Sequence, residues 1–203
     1  MAFTFKSLLS GGLAAAAIFT AMPSTAATVI DATRITFTSA VPDWMQIAEV
    51  VAIELGTLEN VAAASNGGSA IATSSGFGTG PGGAIDGDLS QAFGPNIWHS
   101  GSSAADQMLE ITLGRTSSLA SLTLYARTSC CVSRNFYNYT IYNAANQTLA
   151  SGLFDARSGN GIASISFGDP SSGAVPEPAT WAMMILGFGA AGSAIRSRRR
   201  ALA

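Results

Sequence analysis

Short runs in which apolar and polar residues alternate recur along the middle of this chain. In residues 28–39, Ile35 and Phe37 alternate with Thr36 and Thr38 and β-branched residues dominate, which predicts a half-buried strand. The same reasoning predicts strands over residues 107–114, 119–125, 138–143, 149–154 and 161–167, with a hairpin turn over residues 143–147. Short strands with turns between them at regular intervals predict an all-β fold, an antiparallel β-sandwich.

Two segments of this middle region allow more than one interpretation. Residues 44–55 fit either a helix or a strand, but Ile47, Val50 and Ile53, followed by Gly56, favour a strand. Residues 60–83 are rich in Ala, Ser, Gly and Thr, which is typical either of a linker or of short strands joined by glycine turns.

The first 27 residues have the layout of a secretory signal peptide. Lys6 precedes an apolar run over residues 8–19, and Pro23 and small residues follow it, which predicts export by the Sec machinery with cleavage after Ala26 or Ala27. The alternative is an uncleaved membrane anchor. The apolar run is shorter than the roughly 20 residues that span a bilayer, so we favour the signal peptide.

Residues 171–203 predict a second signal, a short transmembrane helix followed by a basic tail that stays cytoplasmic. Its marker residues are Pro176, Glu177, Pro178, Trp181, Arg198, Arg199 and Arg200. The segment resembles the PEP-CTERM sorting signal of Gram-negative bacteria. That resemblance implies transient insertion in the inner membrane, recognition by an exosortase-type membrane protease, and placement of the rest at the cell surface or in the extracellular matrix. The alternative is a permanent single-span anchor.

The body between these signals, residues 28–170, is acidic. From residue 28 to residue 175 the chain holds five arginines, no lysine and eleven acidic residues, so it lacks the basic face that nucleic acid requires. No Gly-x-Ser-x-Gly elbow or phosphate-binding loop occurs, and His99, the single histidine, has no acidic partner at a fixed spacing. We therefore expect a binding or structural protein and not an enzyme.

The segment from Arg127 to Arg134 concentrates the reactive side chains of the body. Cys130 and Cys131 are the only cysteines, so in an oxidising compartment they can bond only to each other or to a partner chain. Adjacent Cα atoms lie about 3.8 Å apart, less than the roughly 4.4–6.8 Å usual for a disulfide, so a bond between them would form a rigid ring. The flanking arginines each carry a planar fork of donors suited to hydroxyls or carboxylates. An ordinary structural loop is the alternative.

The run R-T-S-C-C-V-S-R resembles the sugar-binding loop of the F-type lectins. The resemblance implies that Arg127, Arg134 and a Cys130–Cys131 disulfide bind a sugar of the fucose type, together with an upstream histidine. His99 lies upstream at a distance one residue longer than in that family. The family usually has an acidic residue two positions after the first arginine, and Ser129 stands there in this chain.

Further motifs resemble the discoidin domains, which have a galactose-binding-like jelly-roll fold. They are residues 60–74, which resemble the start of such a domain, the acidic loop around Asp86 and Asp88, Trp98, and a strand ending in Leu113-Gly114. The resemblance favours short strands in residues 60–83 and implies a calcium site at Asp86 and Asp88. Residues 46–50 resemble the closing strand of that family yet precede the opening one. We therefore expect a circular arrangement, with the N-terminal strands beside the last ones and both ends of the body together.

The sequence as a whole predicts an exported, sorted surface or matrix protein that binds carbohydrate, such as an exopolysaccharide. The alternative is a structural protein of an extracellular matrix or biofilm, in which the sandwich is a spacer without sugar-binding activity.

Overall fold

The computed structural model describes residues 27–168 and 185–188. Residues 27–168 form one eight-stranded sheet in which every pairing is antiparallel. The strands are β1 (Val29–Ser39), β2 (Gln46–Glu54), β3 (Ser69–Ala72), β4 (Trp98–His99), β5 (Met108–Ala126), β6 (Phe136–Asn143), β7 (Thr148–Asp155) and β8 (Ile162–Ser166). The all-β prediction is confirmed.

The 19-residue strand β5 is shared by two halves of the sheet. Its first part pairs with β1 and β3, whereas its second part pairs with β2 and β8. The remaining strands complete the order β4-β2-β5-β1-β6-β7. Alternate residues of both halves, such as Phe37, Ile111, Val50 and Leu122, join one buried hydrophobic cluster. This arrangement fits a β-sandwich.

Strand β5 corrects one expectation, because two separate strands were predicted over residues 107–114 and 119–125. The backbone stays extended through Gly114, whose N–H donates to the carbonyl of Val61 at 2.9 Å. A side chain at Gly114 would place its Cβ 2.0 Å from the Asn66 carbonyl oxygen. The glycine that suggested a break therefore allows another segment to cross close to a continuous strand.

Strand β2 explains why residues 44–55 were ambiguous in sequence. The strand lies between β4 and β5, and its first five residues, from Gln46 to Val50, are all buried. A strand covered on both faces loses the alternation of apolar and polar residues that marks a half-buried one.

The two ends of the body meet, as the sequence predicts. The N–H of Gly168 donates to the carbonyl of Ala27 at 2.9 Å. The N-terminal strands are not beside the last strand, however, because β1 lies between β5 and β6 and β2 lies between β4 and β5. The ends of the body therefore meet, while the N-terminal strands occupy central positions in the sheet.

Helical structure in the described residues consists of short 3-10 turns and one helical turn over residues 185–188. None of these helices has the length and apolar character needed to cross a membrane. The predicted signal peptide, apart from residue 27, lies outside the described residues. So do Pro176, Glu177, Pro178, Trp181, Arg198, Arg199 and Arg200 and, except for residues 185–188, the predicted transmembrane helix.

Candidate functional site

The loop that joins β5 to β6 holds both cysteines and both predicted ligand-binding arginines. Gln46, the first residue of β2, holds this loop in place through side-chain hydrogen bonds. Its Nε2 donates to the carbonyl oxygens of Cys130 (3.3 Å) and Cys131 (3.1 Å) and to Asn135 Oδ1 (3.1 Å). These hydrogen bonds fix the backbone of the loop at the beginning of a core strand, so the loop has a defined position relative to the sheet.

A buried hydroxyl completes this support. Tyr137 is fully buried, and its hydroxyl accepts a hydrogen bond from the N–H of Gln46 at 3.3 Å. The same hydroxyl lies within donating distance of the Gln46 carbonyl (3.0 Å) and of Asn135 Oδ1 (3.1 Å). Burial raises the pKa of Tyr137, so the hydroxyl keeps its proton. Asn135 in turn donates from Nδ2 to the carbonyl of Arg127 at 2.7 Å.

Cys130 and Cys131 are bonded to each other, with their Cα atoms 3.8 Å apart. Cys131 adopts a left-handed backbone conformation (φ 59°) and precedes a short 3-10 turn that ends at Arg134. The disulfide and this turn lie between the two arginines, and the charge of Arg134 is close enough to lower the pKa of Arg127.

His99 reaches the same place from a distant part of the sequence. Strand β4 pairs with β2 in a register that puts His99 opposite Gln46. The His99 residue is 3% exposed, and its ring lies among the rings of Trp44 (5.6 Å between centroids), Phe77 (4.7 Å) and Phe93 (6.2 Å). Its Nδ1 is 2.9 Å from the Ser100 carbonyl.

The surroundings of His99 favour its neutral form. Burial is the main cause that lowers its pKa, and the positive charges of Arg127 and Arg134 lower it further. The Ser100 carbonyl accepts a hydrogen bond from Nδ1–H, which places the lone pair of the neutral ring on Nε2. Within residues 27–168, Nε2 makes no hydrogen bond, so its lone pair has no partner there.

The two arginines differ in how their charges are compensated. The Arg127 guanidinium stacks on the Phe93 ring, with Cζ 4.4 Å from the centroid, and Nε donates to Ser129 Oγ at 3.0 Å. Arg134 forms an ion pair through Nε with Asp43 Oδ1 at 3.2 Å. Burial and the charge of Arg134 both lower the pKa of Arg127. The structure thus gathers His99, Arg127, Cys130, Cys131 and Arg134 at one end of the sheet.

Two exposed aromatic rings lie against part of this group, and the sequence analysis missed them. Phe77 is 64% exposed and Phe93 is 43% exposed, and both contact the His99 ring. Each phenylalanine precedes a glycine in a polar loop, a position where a large apolar residue has no sheet face to cover. That context is a usable signal for a binding surface. Trp98, in contrast, is fully buried, and its Nε1 donates to the Ser74 carbonyl at 3.1 Å.

The proposed calcium residues lie elsewhere, in the turn after the short 3-10 segment Pro81–Ala84. Asp86 Oδ1 accepts the N–H of Asp88 at 2.8 Å, and Asp88 Oδ2 accepts from Asn96 Nδ2 at 2.7 Å. Gly87 takes a positive φ of 89°, which permits the tight turn. No cluster of three or more His, Cys, Asp or Glu side chains arranged to hold a metal occurs in the described ranges.

Glu49 on β2 lies next to this turn, and the sequence analysis did not select it. It is fully buried, and neither carboxylate oxygen has a hydrogen-bond partner among residues 27–168. The backbone N–H groups of Asp86 and Gly87 approach the carboxylate without reaching hydrogen-bond geometry. Burial raises the pKa of Glu49 to about 7, and the charges of Asp86 and Asp88 add to that effect.

Residues 174–200 match the model of the PEP-CTERM protein-sorting motif. The match confirms the resemblance seen in the sequence, and it indicates an exported protein that passes through the membrane to the cell surface and is processed by exosortase. No curated protein and no solved structure matches the chain. The motif concerns transport alone, so the role of the body depends on its own geometry.

Proposed function

We propose that the exported body is a lectin-like module that binds carbohydrate at the end of the sheet where the disulfide loop lies. The observation that carries this proposal is the meeting of Arg127, which stacks on the exposed Phe93 ring, with His99, which contacts the same ring, close enough to Arg134 for its charge to lower the pKa of both. Sugars present hydroxyl groups on their edges and C–H groups on their faces. Fixed polar groups beside an aromatic ring are suited to both kinds of surface.

Each side chain has a distinct role in this proposal. Arg127 and Arg134 donate hydrogen bonds to ring and hydroxyl oxygens, because a guanidinium has donors and no acceptor. His99 Nε2 accepts from one hydroxyl, which adds the acceptor that the arginines lack. Phe77, Phe93 and the Cys130–Cys131 pair offer apolar surface to a sugar face. A deoxy sugar such as fucose, whose methyl group requires an apolar neighbour, is compatible with this set.

The finer description of the fold belongs to the same proposal. We infer that the body is a galactose-binding-like jelly-roll of the discoidin type, with β1 and β2 moved from the end of the domain to its beginning. The hydrogen bond between Ala27 and Gly168 supports the rearrangement, because it joins the two ends that such a permutation requires to be adjacent.

Calcium is the cation that fits the acidic turn. Asp86 and Asp88 would hold it, with backbone carbonyls of the turn as further oxygen ligands and the Glu49 carboxylate next to the turn. The unpartnered, buried carboxylate of Glu49 supports this assignment, because an uncompensated buried charge is costly unless a proton or a cation neutralises it. The ion would hold the acidic turn against β2. In this proposal the body binds its ligand and does not catalyse a reaction.

The place of action follows from the sorting motif. After exosortase processing, the body would remain at the cell surface or in the extracellular matrix of a Gram-negative bacterium, with an exopolysaccharide as its partner. A structural matrix role is the second candidate. The low exposure of His99 favours that second role. So does Ser129, which stands where the F-type lectins usually have an acidic residue.

A glycan array probed with the full chain, purified in detergent from an oxidising periplasm, tests the proposal with and without calcium. The comparison is with an Arg127→Ala, Arg134→Ala double variant, and Arg115→Ala is the control. Arg115 pairs with Glu54 and Glu59, away from the disulfide loop. We expect selective binding that the double variant loses and the control retains. If the folded wild type binds no glycan, the structural role is the better account.

A further inference from the structure

The charge of Arg127 is not balanced by an ion pair within residues 27–168, whereas the other arginines there are paired with carboxylates. Residues 27–168 contain five arginines, and four of them form ion pairs with carboxylates. The pairs are Arg34–Glu110, Arg115–Glu54 with Glu59, Arg134–Asp43 and Arg157–Asp155. Arg127 alone makes no ion pair within the described part of the chain, although the body is rich in acidic residues.

The contacts of Arg127 explain which of its donors remain open. Nε is used by Ser129, and the Phe93 ring covers one face of the guanidinium. Neither terminal nitrogen makes a hydrogen bond within residues 27–168. These two nitrogens form the edge of the guanidinium that binds a carboxylate through two parallel hydrogen bonds.

The surroundings add to the positive character of this site. Arg134 lies near enough for its charge to lower the pKa of Arg127, and Asp43 neutralises only one of the two arginines. Arg127 and Arg134 against Asp43 leave one net positive charge, since His99 is neutral. The Phe93 ring shields one face of the Arg127 guanidinium from water.

From this geometry we infer that the ligand is an acidic sugar, whose carboxylate pairs with the open edge of Arg127 while its ring packs on Phe93. The inference rests on the proposed sugar-binding function. It goes beyond that function because it names sugars with uronic acid residues as the class of ligand. A neutral sugar would leave the uncompensated charge without a counter-ion, whereas a uronate supplies one.

Ser129 is the residue that decides this preference. Its Oγ is 3.0 Å from Arg127 Nε and accepts the N–H of Phe93 at 3.3 Å. An aspartate at this position would place a carboxylate against Arg127 and satisfy its charge internally. The serine supports the guanidinium without neutralising it, so the charge remains for the ligand.

The test uses pairs of oligosaccharides that differ only in charge. Oligomers of galacturonic, glucuronic and mannuronic acid are each compared with their carboxyl-reduced, neutral counterparts, and affinities to the full chain in detergent are measured by calorimetry. We expect the wild type to bind at least one acidic oligomer about tenfold more tightly than its neutral counterpart, because charge-assisted hydrogen bonds are roughly twice as strong as neutral ones. The preference should shrink as salt is added.

Two variants separate the role of the charge from that of the fold. Ser129→Asp and Arg127→Gln should each reduce the tenfold preference to nearly none while the melting temperature shows a folded protein. Ser166→Asp adds the same charge on the exposed side of β8 and should keep the preference. A preference that persists in Ser129→Asp and Arg127→Gln would overturn the inference.

The remaining outcomes distinguish this inference from the proposed function. If the wild type binds the acidic and neutral oligomers equally well, the sugar-binding function stands and the acidic preference is wrong. If the folded wild type binds neither set nor any glycan on the array, the proposed function fails, and the inference fails with it.

Discussion

The pKa of His99 is the most direct measure of how closely the arginines and the aromatic rings surround it. Burial and two neighbouring positive charges lower this pKa below its ordinary value of 6.5. His99 is the only histidine in the sequence, so its imidazole signals in an NMR titration are unambiguous. We expect the titration midpoint of the folded protein to lie below 6.5. A midpoint at 6.5 or above would show that the ring is open to solvent or paired with an acid.

The lowered pKa of His99 also makes the stability of the folded protein depend on pH. Between the lowered folded pKa and 6.5, the unfolded chain binds a proton at this histidine and the folded protein does not. The contribution of His99 to stability is therefore lost as the pH falls below 6.5. Arg127→Gln removes one of the two charges that lower the pKa, and it should move the midpoint upward.

Glu49 has the opposite dependence on pH. Its pKa rises from 4.5 to about 7 on folding, so between these values the folded protein holds a proton that the unfolded chain releases. In EDTA, which removes calcium, we expect the free energy of unfolding to fall by about 3 kcal/mol as the pH rises from 4.5 to 7, because folding then requires Glu49 to take up a proton. Glu49→Gln should remove that dependence on pH. The measurement is the thermal unfolding of the wild type and of Glu49→Gln, each at pH 5 and at pH 7.5.

Calcium gives a second readout at the same residue. If the acidic turn binds the cation, calcium at pH 7.5 should raise the melting temperature of the wild type and leave that of Glu49→Gln nearly unchanged. Equal responses of both proteins would remove Glu49 from the proposed cation site. A pH dependence that both proteins share would place the raised pKa on another group.

At the scale of elements, the disulfide loop depends on the strands beneath it. Tyr137→Phe removes the hydroxyl that bonds the backbone of Gln46 and reaches Asn135. This change leaves buried polar groups unpaired, so we expect a loss of about 1–3 kcal/mol in unfolding free energy. Glycan affinity should also fall, because the loop would lose its fixed position.

Tyr139→Phe is the matched control for this loss. Tyr139 lies on the same strand and is also buried, yet its hydroxyl makes no hydrogen bond within the described residues. Its removal should change the unfolding free energy by less than about 0.5 kcal/mol. Equal losses in urea denaturation of the two variants would contradict the supporting role of Tyr137.

At the scale of the whole molecule, the meeting of Ala27 and Gly168 predicts that the body tolerates circular permutation. Joining Gly168 to Ala27 through a few glycine and serine residues, and opening the chain before Leu58, moves β1 and β2 to the C-terminus. Leu58 is 73% exposed in the turn after β2, which suits a new terminus. We expect the permuted chain to melt within about 5 °C of unpermuted residues 27–168 and to retain glycan binding. Failure of the permuted chain alone to fold would contradict this connectivity.

The sequence by itself determined the features that short segments carry. The alternation in residues 28–39 predicted β1, and the motif at residues 174–200 predicted the sorting route, because both signals lie in neighbouring residues. The two adjacent cysteines restricted the disulfide to a bond with each other or with a partner chain, and the structure shows the first. Most of the strands were therefore predictable, and so was the loop with both arginines.

Only the tertiary structure decided which distant residues meet. The placement of Gln46 opposite His99, and of Glu49 beside Asp86 and Asp88, follows from strand order and register, which local patterns do not encode. The continuity of β5 through Gly114 depends on a crossing segment that is remote in sequence. Phe93 acquires its role because a loop brings it to Arg127. Long-range pairing settles these contacts, and the candidate site consists mainly of them.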